Sequence, residues 1–485
     1  MADVSGLSDI TGLVAQLISL DRQSGPISVY QSEQNDLTLR SATLTDLRTN
    51  LSALNTQVQS LMQAGSLSPF QAKAVTSSNT GVTTATATMS ALGGTHTLFV
   101  TQLAKQGKVI SSQLAQTGSN VAGTVGAGTR TFSLTVAGVT KNVDVTVGAG
   151  DTNSTILGNM ASAINNAGAD VTASVVTDTS STARLVITSN KTGSANAVTL
   201  SDVTGTLLAA TGTSSSLLAS GTTGGSLYAS ADLDAVFILD GLNITRGGNT
   251  VTDVLSGVTL SLLATQASGS TPVTLNVGPD QTAIKGKVQG FLDAYNTTIK
   301  YLKERTGTTA TTTTSASGQT QVGDVKRGIL EDQPAYLGLV MNLRADVGGQ
   351  ITTAASGGPT SLWEIGITAA SDGTLSISDT TKFNDALTKN PDGVTTLFNS
   401  ADGIASRVSA RLAGFIHAGG TLDSSVESVT SQISNLNSLI SEQEDLLKIK
   451  QEMLTKQYTA LLDIIAQLNT QQDMLNSLNA IGILA

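Results

Sequence analysis

Apolar residues recur along this chain at two spacings, and the change of spacing divides it. From Leu37 the spacing is seven: Leu37, Leu44, Leu51 and Val58, joined three residues on by Leu47, Leu54 and Leu61. That pattern is the seam of a coiled coil, so a helix is predicted until Pro69 stops it. Pro26, after Ser24-Gly25, marks a helix start, because proline at the first helical position gives up a hydrogen that has no partner there.

From about residue 70 the period falls to two. TATATMSAL, HTLFVTQL and VFILDGLNITRGGNTVTDV alternate or run with β-branched residues between glycine turns, and they predict strands. Gly247-Gly248-Asn249, between two such runs, predicts a hairpin. No proline occurs between Pro69 and Pro272, as a sheet that keeps its ladder donors requires. Residues 109–227 hold one aromatic, Phe132, and end in the low-complexity SSSLLASGTTGGS at 214–226. This stretch reads as a separate β-rich domain of small residues. VGAG at 125–128 and again at 147–150 reads as hairpin turns.

Helical period returns over 281–305, with Ile284, Val288, Phe291, Leu292, Tyr295 and Ile299 on one face. TGTTATTTTSASGQTQ (306–321) reads as a flexible loop by composition. A helix near 325–347, a hairpin in IGITAASDGTLSIS and a helix through FNDALTKN follow.

The tail is the longest periodic stretch. Val426, Ile433, Ile440, Leu447, Leu454, Leu461, Leu468 and Leu475 form an unbroken a series. The d series is half polar: Val429, Leu436, Ile464 and Leu478 are apolar, while Gln443, Lys450, Gln457 and Gln471 are not. Where d turns polar, Leu439, Leu446, Met453 and Met474 widen the face at g. The resulting rod is about 80 Å long, and the N-terminal heptads run for about half of that. A partner within the chain is therefore expected first, and other chains after it. The fold class is α+β and multidomain: long terminal coiled-coil helices pair N- to C-terminus, with nested β-rich domains between them.

Composition narrows the function. The hydrophobic fraction is 39 %, aromatics are 3 % and charged residues 13 %, with Thr, Ser, Asn and Gly making up the polar content. A net charge of −10 argues against nucleic acid or anionic membrane as partners, since both select basic patches. No run of 18 apolar residues predicts a membrane span. Cysteine is absent, which excludes disulfides and thiolate metal sites. The first residues carry acids and no basic leader, so no cleavable secretory signal is expected.

Catalytic patterns are not found. His96 and His417 lie in different segments without HExxH or triad-like neighbours, and both read as structural. Neither VGAG is followed by GK[ST]. Ser371-Asp372-Gly373 and Asp379 lack the order of a calcium loop, so Asp372-Gly373 reads as a turn. Asp232 and Asp234 are expected to be solvated, and Trp363 to anchor a core. No enzyme, no cofactor and no metal site are expected.

Several segments, in order, resemble the bacterial flagellar filament cap family, also called hook-associated protein 2. They are DITGLVAQLISLDRQSGPI (9–27), the hook- and flagellin-like motif over 131–200, 235–263, 291–302, 362–398 and 419–437. The family's usual Gly-Ser-Gly-Leu-Asp opening stands here as GLSDITG. The resemblance implies a ring-shaped homo-oligomer of about four to six copies at the filament tip. Its β domains would form a plate and its helical ends would descend as legs between the last flagellins. Implied partners are flagellin, the hook–filament junction proteins and a cytoplasmic export chaperone at the C-terminal helix. The implied location is extracellular, reached by the flagellar type III route. Four domains are expected: a leg from 1–42 with 421–485, a helical domain from 43–69 with 281–420, a plate domain from 70–108 with 231–280, and an outer domain, 109–230. The outer domain would face outward and could meet host surfaces. An exported filament or junction protein of the flagellin-like class, or a surface adhesin, is the alternative.

Overall fold

The computed structural model describes residues 10–480 except 220, 222, 315–319 and 355–356. The chain forms two compact units, one from Gln71–Gln281 with Gly65–Leu67, the other from both ends of the chain. The second opens with helices α1 (Ile10–Ser24) and α2 (Pro26–Leu61). Gly25 divides them, where an added Cβ would stand 2.4 Å from the Asp21 carbonyl oxygen. Pro26 follows at the first position of α2, as its spacing predicts. Leu37, Leu44, Leu47, Leu51, Leu54, Val58 and Leu61 are all buried along α2.

The strand-rich unit contains two cores. A five-stranded antiparallel sheet runs Lys73–Ser77, Val273–Pro279, Gly94–Gln102, Ala235–Leu239, Leu242–Arg246. With a three-stranded sheet of Thr250–Leu255, Val258–Leu262 and Thr83–Ala87, it encloses Leu98, Val100, Phe237, Leu260 and Leu275. The other core gathers Phe132, Leu134, Val145, Ile156, Met160, Leu185 and Ile187 from between residues 106 and 226. Helices α3 (Asn120–Val125), α4 (Asn153–Asn166) and α5 (Leu207–Thr211) belong to it. Thr152 caps α4 by accepting from the Thr155 N–H.

Three expectations are corrected in this unit. Gly247-Gly248-Asn249 is not a hairpin, because the strands on either side belong to different sheets. The Asn249 side chain instead bonds both the N–H and the C=O of Ala104, at 2.7 and 3.0 Å, and holds the chain as a crossover. The hairpins turn at Asp240-Gly241 and Gly257, where φ is positive. Neither VGAG is a hairpin turn: the first joins α3 to the strand Gly128–Val136, the second joins Val139–Val147 to α4. There the Asp151 carboxylate accepts from the Gly148 N–H at 2.7 Å and bends the chain into the helix. Asp234 is not simply solvated, since its carboxylate accepts from the Ser194 N–H at 2.7 Å and hydroxyl at 2.6 Å. Asp232 is exposed, as expected.

The first-described unit of helices resumes with α6 (Gln281–Thr306). Its expected face, Ile284, Val288, Phe291, Leu292, Tyr295 and Ile299, is wholly buried. Phe291 meets Phe398 edge-on at 6.4 Å, and Phe398 stacks on Phe70 at 5.4 Å. Residues 306–321 do not read as a plain loop: Thr308–Thr314 pairs antiparallel with Thr320–Arg327. β-branched threonine suits a pleated ribbon, and composition alone hid it. The helix expected from 325 begins only at Pro334, as α7 (Pro334–Gly348). The expected hairpin is present as Ile367–Ala369 with Leu375–Ile377, and Gly373, at φ +86°, turns it. Then come α8 (Thr380–Lys389), α9 (Pro391–Asn399), α10 (Ile404–Ile416) and α11 (Thr421–Ala480).

Trp363 does not anchor a core: it is 59 % exposed. The short turn Leu362–Ile365 points Leu362 and Ile365 inward, which leaves Trp363 outside, with the Lys382 ammonium 5.0 Å over its ring.

Candidate functional site: the long terminal helix

α11 is one helix of 60 residues, about 90 Å long. It lies antiparallel to α1 and α2, and polar contacts fix the register. Arg48 pairs with Asp423, Gln34 Nε2 donates to Asn437 Oδ1 at 2.6 Å, and Lys450 Nζ reaches Asp21 at 2.6 Å. Arg22 pairs with Glu444. As numbers rise along α1 and α2, they fall along α11.

That register places the expected seam residues in three groups. Leu37, Leu44, Val429 and Leu436 are buried between α2 and the first part of α11. Leu47, Leu51 and Leu54 are buried too, but Leu51 and Leu54 lie past the start of α11. There α2 packs on α10 and α6, with the Gln59 amide on Ser409 and the Thr298 hydroxyl on the Asn50 carbonyl. Val426, Ile433, Ile440, Leu447 and Leu454 are half-buried. Leu461, Ile464, Leu468 and Leu475 are exposed, between 51 % and 57 %. The Leu478 side chain lies outside the described residues.

The cause is length. Asp21 sits against Lys450, and the register brings Ile10, the first described residue of α1, to about position 461. Beyond Leu462, every residue of α11 to Ser477 is exposed. The a series continues across this point without a break, so the sequence builds a contact face for which the described residues supply no cover.

The spacing starting at Leu37 left out α1. Leu13, Leu17 and Leu20 are exposed apolar residues on it, and their i, i+4, i+7 spacing was the available signal. Asp21 also accounts for one polar d position, Lys450, which no single-helix pattern explains. His96 Nδ1 lies 2.7 Å from the Asp240 carboxylate, and His417 Nδ1 lies 2.6 Å from the Ala413 carbonyl. Among the described residues no helix is long and apolar enough to cross a membrane.

Comparison with known proteins gives this geometry a family. A model of the flagellar hook-associated protein 2 N-terminus matches residues 5–107, and one of the C-terminus matches residues 233–470. Together they span more than two thirds of the chain. The B-type flagellar hook-associated protein 2 of Pseudomonas aeruginosa is 29 % identical over 477 residues, covering 95 % of this chain and 94 % of the relative. The flagellar hook-associated protein 2 of Escherichia coli (strain K12) is 26 % identical over 490 residues, 98 % of each. A crystal structure of the flagellar cap protein from Escherichia coli matches at a TM-score of 0.52 and 24 % identity, a likeness of fold, over 80 % of this chain and 99 % of that one. The chain belongs to the flagellar hook-associated protein 2 family.

Proposed function

We propose that this protein is a structural cap at the distal end of the growing bacterial flagellar filament. It retains exported flagellin and promotes its polymerisation, and filament elongation and motility depend on it. Family membership supports the reading, and the uncovered last part of α11 carries it. A cap needs helical ends that hold their neighbours. Burying one exposed Leu or Ile contributes roughly 1.5–3 kcal/mol, so a partner that covers Leu461, Ile464, Leu468 and Leu475 gains several kcal/mol.

The partners in this reading are further copies of the chain, in a ring of about four to six, flagellin, and the hook–filament junction proteins. Before export, a cytoplasmic chaperone covers the C-terminal helix, and export follows the flagellar type III route to an extracellular site. The plate comprises 70–108 with 231–280, the outer domain 109–230, the helical domain 43–69 with 281–420, and the leg 1–42 with 421–485.

The test is Leu461→Asp, Leu468→Asp and Leu475→Asp together, placed beyond the intramolecular seam. The variant is expected to keep its circular dichroism and melting, while filaments stop growing and monomeric flagellin leaks into the medium. Normal filaments from the folded variant would refute the leg mechanism.

A further inference from the structure

The strand-rich unit holds two cores that share no residue, one around Phe132 and one around Phe237. The chain crosses from the Phe237 core to the Phe132 core at 103–105 and returns at 227–234. Two bodies joined by two lengths of chain move against each other unless something fixes them. A loop spans this joint. It is the turn between the strands Thr182–Thr192 and Thr199–Thr204 of the Phe132 core.

Three successive residues of that loop reach across. The Thr192 hydroxyl donates to the Gly247 carbonyl at 2.7 Å. The Gly193 N–H donates to the Lys105 carbonyl, on the first crossing, at 3.0 Å. The Ser194 N–H and hydroxyl donate to the two oxygens of the Asp234 carboxylate, at the end of the second crossing, at 2.7 and 2.6 Å. The crossings are also tied to each other, because the Lys105 N–H donates to the Leu233 carbonyl at 2.9 Å. The Gln102 amide holds the Asp234 carbonyl at 2.7 Å.

The fit is closest at two glycines. Gly193 has φ +101°, and a Cβ built on it would stand 2.6 Å from the Gly247 carbonyl oxygen and 2.7 Å from the Gly247 Cα. A Cβ on Gly247 would meet the Gly193 Cα at 3.7 Å, an ordinary contact, so the constraint falls on Gly193. This joint is the use that Gly247-Gly248-Asn249 finds in the fold. Gly247 receives the loop, and Asn249 pins Ala104 on the first crossing. Bonds to a charged acceptor are the stronger kind, and the Asp234 carboxylate is the charged acceptor here.

We infer that Thr192–Ser194 is a latch. Bonded to Asp234 and seated on Gly247, it locks the Phe132 core in one pose on the Phe237 core; without Asp234 that core swings on the two crossings. In the locked pose a push on one core is carried to the other. In the proposed cap, the outer domain and the plate then turn as one body. The latch itself does not depend on the cap reading.

The chain has no cysteine, so two introduced thiols can carry spin labels without background. Lys141→Cys and Asn243→Cys place one exposed label on a strand of each core. The labelled full-length chain is diluted with unlabelled chain, and the distance between labels is measured by double electron–electron resonance. The unaltered joint is expected to give one narrow distance. Asp234→Ala and Gly193→Ala should broaden it, and Ser194→Ala should broaden it less, since its N–H remains. Asp232→Ala, two residues away and exposed, and Gly247→Ala should leave it narrow. In Asp234→Ala the Gly193 and Ser194 amides should exchange faster by about tenfold or more, with those of Leu134 and Phe237 unchanged. A broad distance in the unaltered joint, a narrow one in Asp234→Ala, or equal broadening by Asp232→Ala would overturn the inference. Faster exchange at Leu134 or Phe237 in both Asp234→Ala and Ser194→Ala would overturn it too, since a loosened core would then be the cause.

Discussion

Tyr295 shows how completely α6 is committed to its core. Its ring is fully buried beside Phe291, at 6.3 Å, and its hydroxyl finds no partner among the described residues. Burial pushes the phenol far above its ordinary range. Tyr295→Phe removes that hydroxyl and keeps the ring, so a gain of about 1 kcal/mol is expected in the denaturant midpoint. A loss of that size would mean the hydroxyl is satisfied. Asp402 behaves in the opposite way. Its carboxylate accepts from the hydroxyls of Thr352 and Thr353, the Thr352 N–H and the Ser400 hydroxyl, which hold it well below the usual 3.8. A lowered carboxyl contributes stability that is present above its ordinary value and is lost as pH falls below it. Exchange of the Thr352 amide is therefore expected to speed up as the pH drops below about 3.8, and Asp402→Asn to remove that dependence. Residues whose partners lie nearby in sequence were readable: Asp372-Gly373 is a turn because Asp372 accepts from Thr374, two residues on. Asp234 was not readable, because its partner Ser194 lies forty residues away and no local pattern announces it.

At the scale of elements, periodicity told most where it ran longest. The seven-residue spacing on α2 and the single face of α6 are both buried as their patterns require. Periodicity failed where burial was not the deciding force. The Thr308–Thr314 strand has no apolar alternation to declare it, and Gly247-Gly248-Asn249 carries hairpin residues while serving a crossover held by Asn249. The unbroken a series of α11 does not itself mark where its surroundings change, and it meets three in turn: α2, α1, and then nothing described. What decides between them is the length of α1, which its own weak spacing did not reveal. A helix with half-polar d positions and one covered end should not hold its shape alone. The isolated segment 421–485 is expected to be largely unfolded by circular dichroism at micromolar dilution, and to become helical when partner chains are added. A stable helix without them would contradict this.

Taken as a whole molecule, the nested order of helix, strand and helix was legible because the change from period seven to period two is abrupt near Pro69 and reverses near residue 281. The resemblance across separate segments then agreed with a family whose models match both ends of the chain. The partner of the last part of α11 was not legible, because a sequence shows that a face is apolar without showing what covers it. That face decides the account. Hydrogen exchange along α11, in the isolated protein and again on capped filaments, reads it directly. In the isolated protein, amides from 421 to the region of Leu454 should be protected and those over 462–477 should exchange freely; on filaments the second stretch should become protected. Strong protection of 462–477 in the dilute, isolated chain, or no change on filaments, would contradict a face built to be shared.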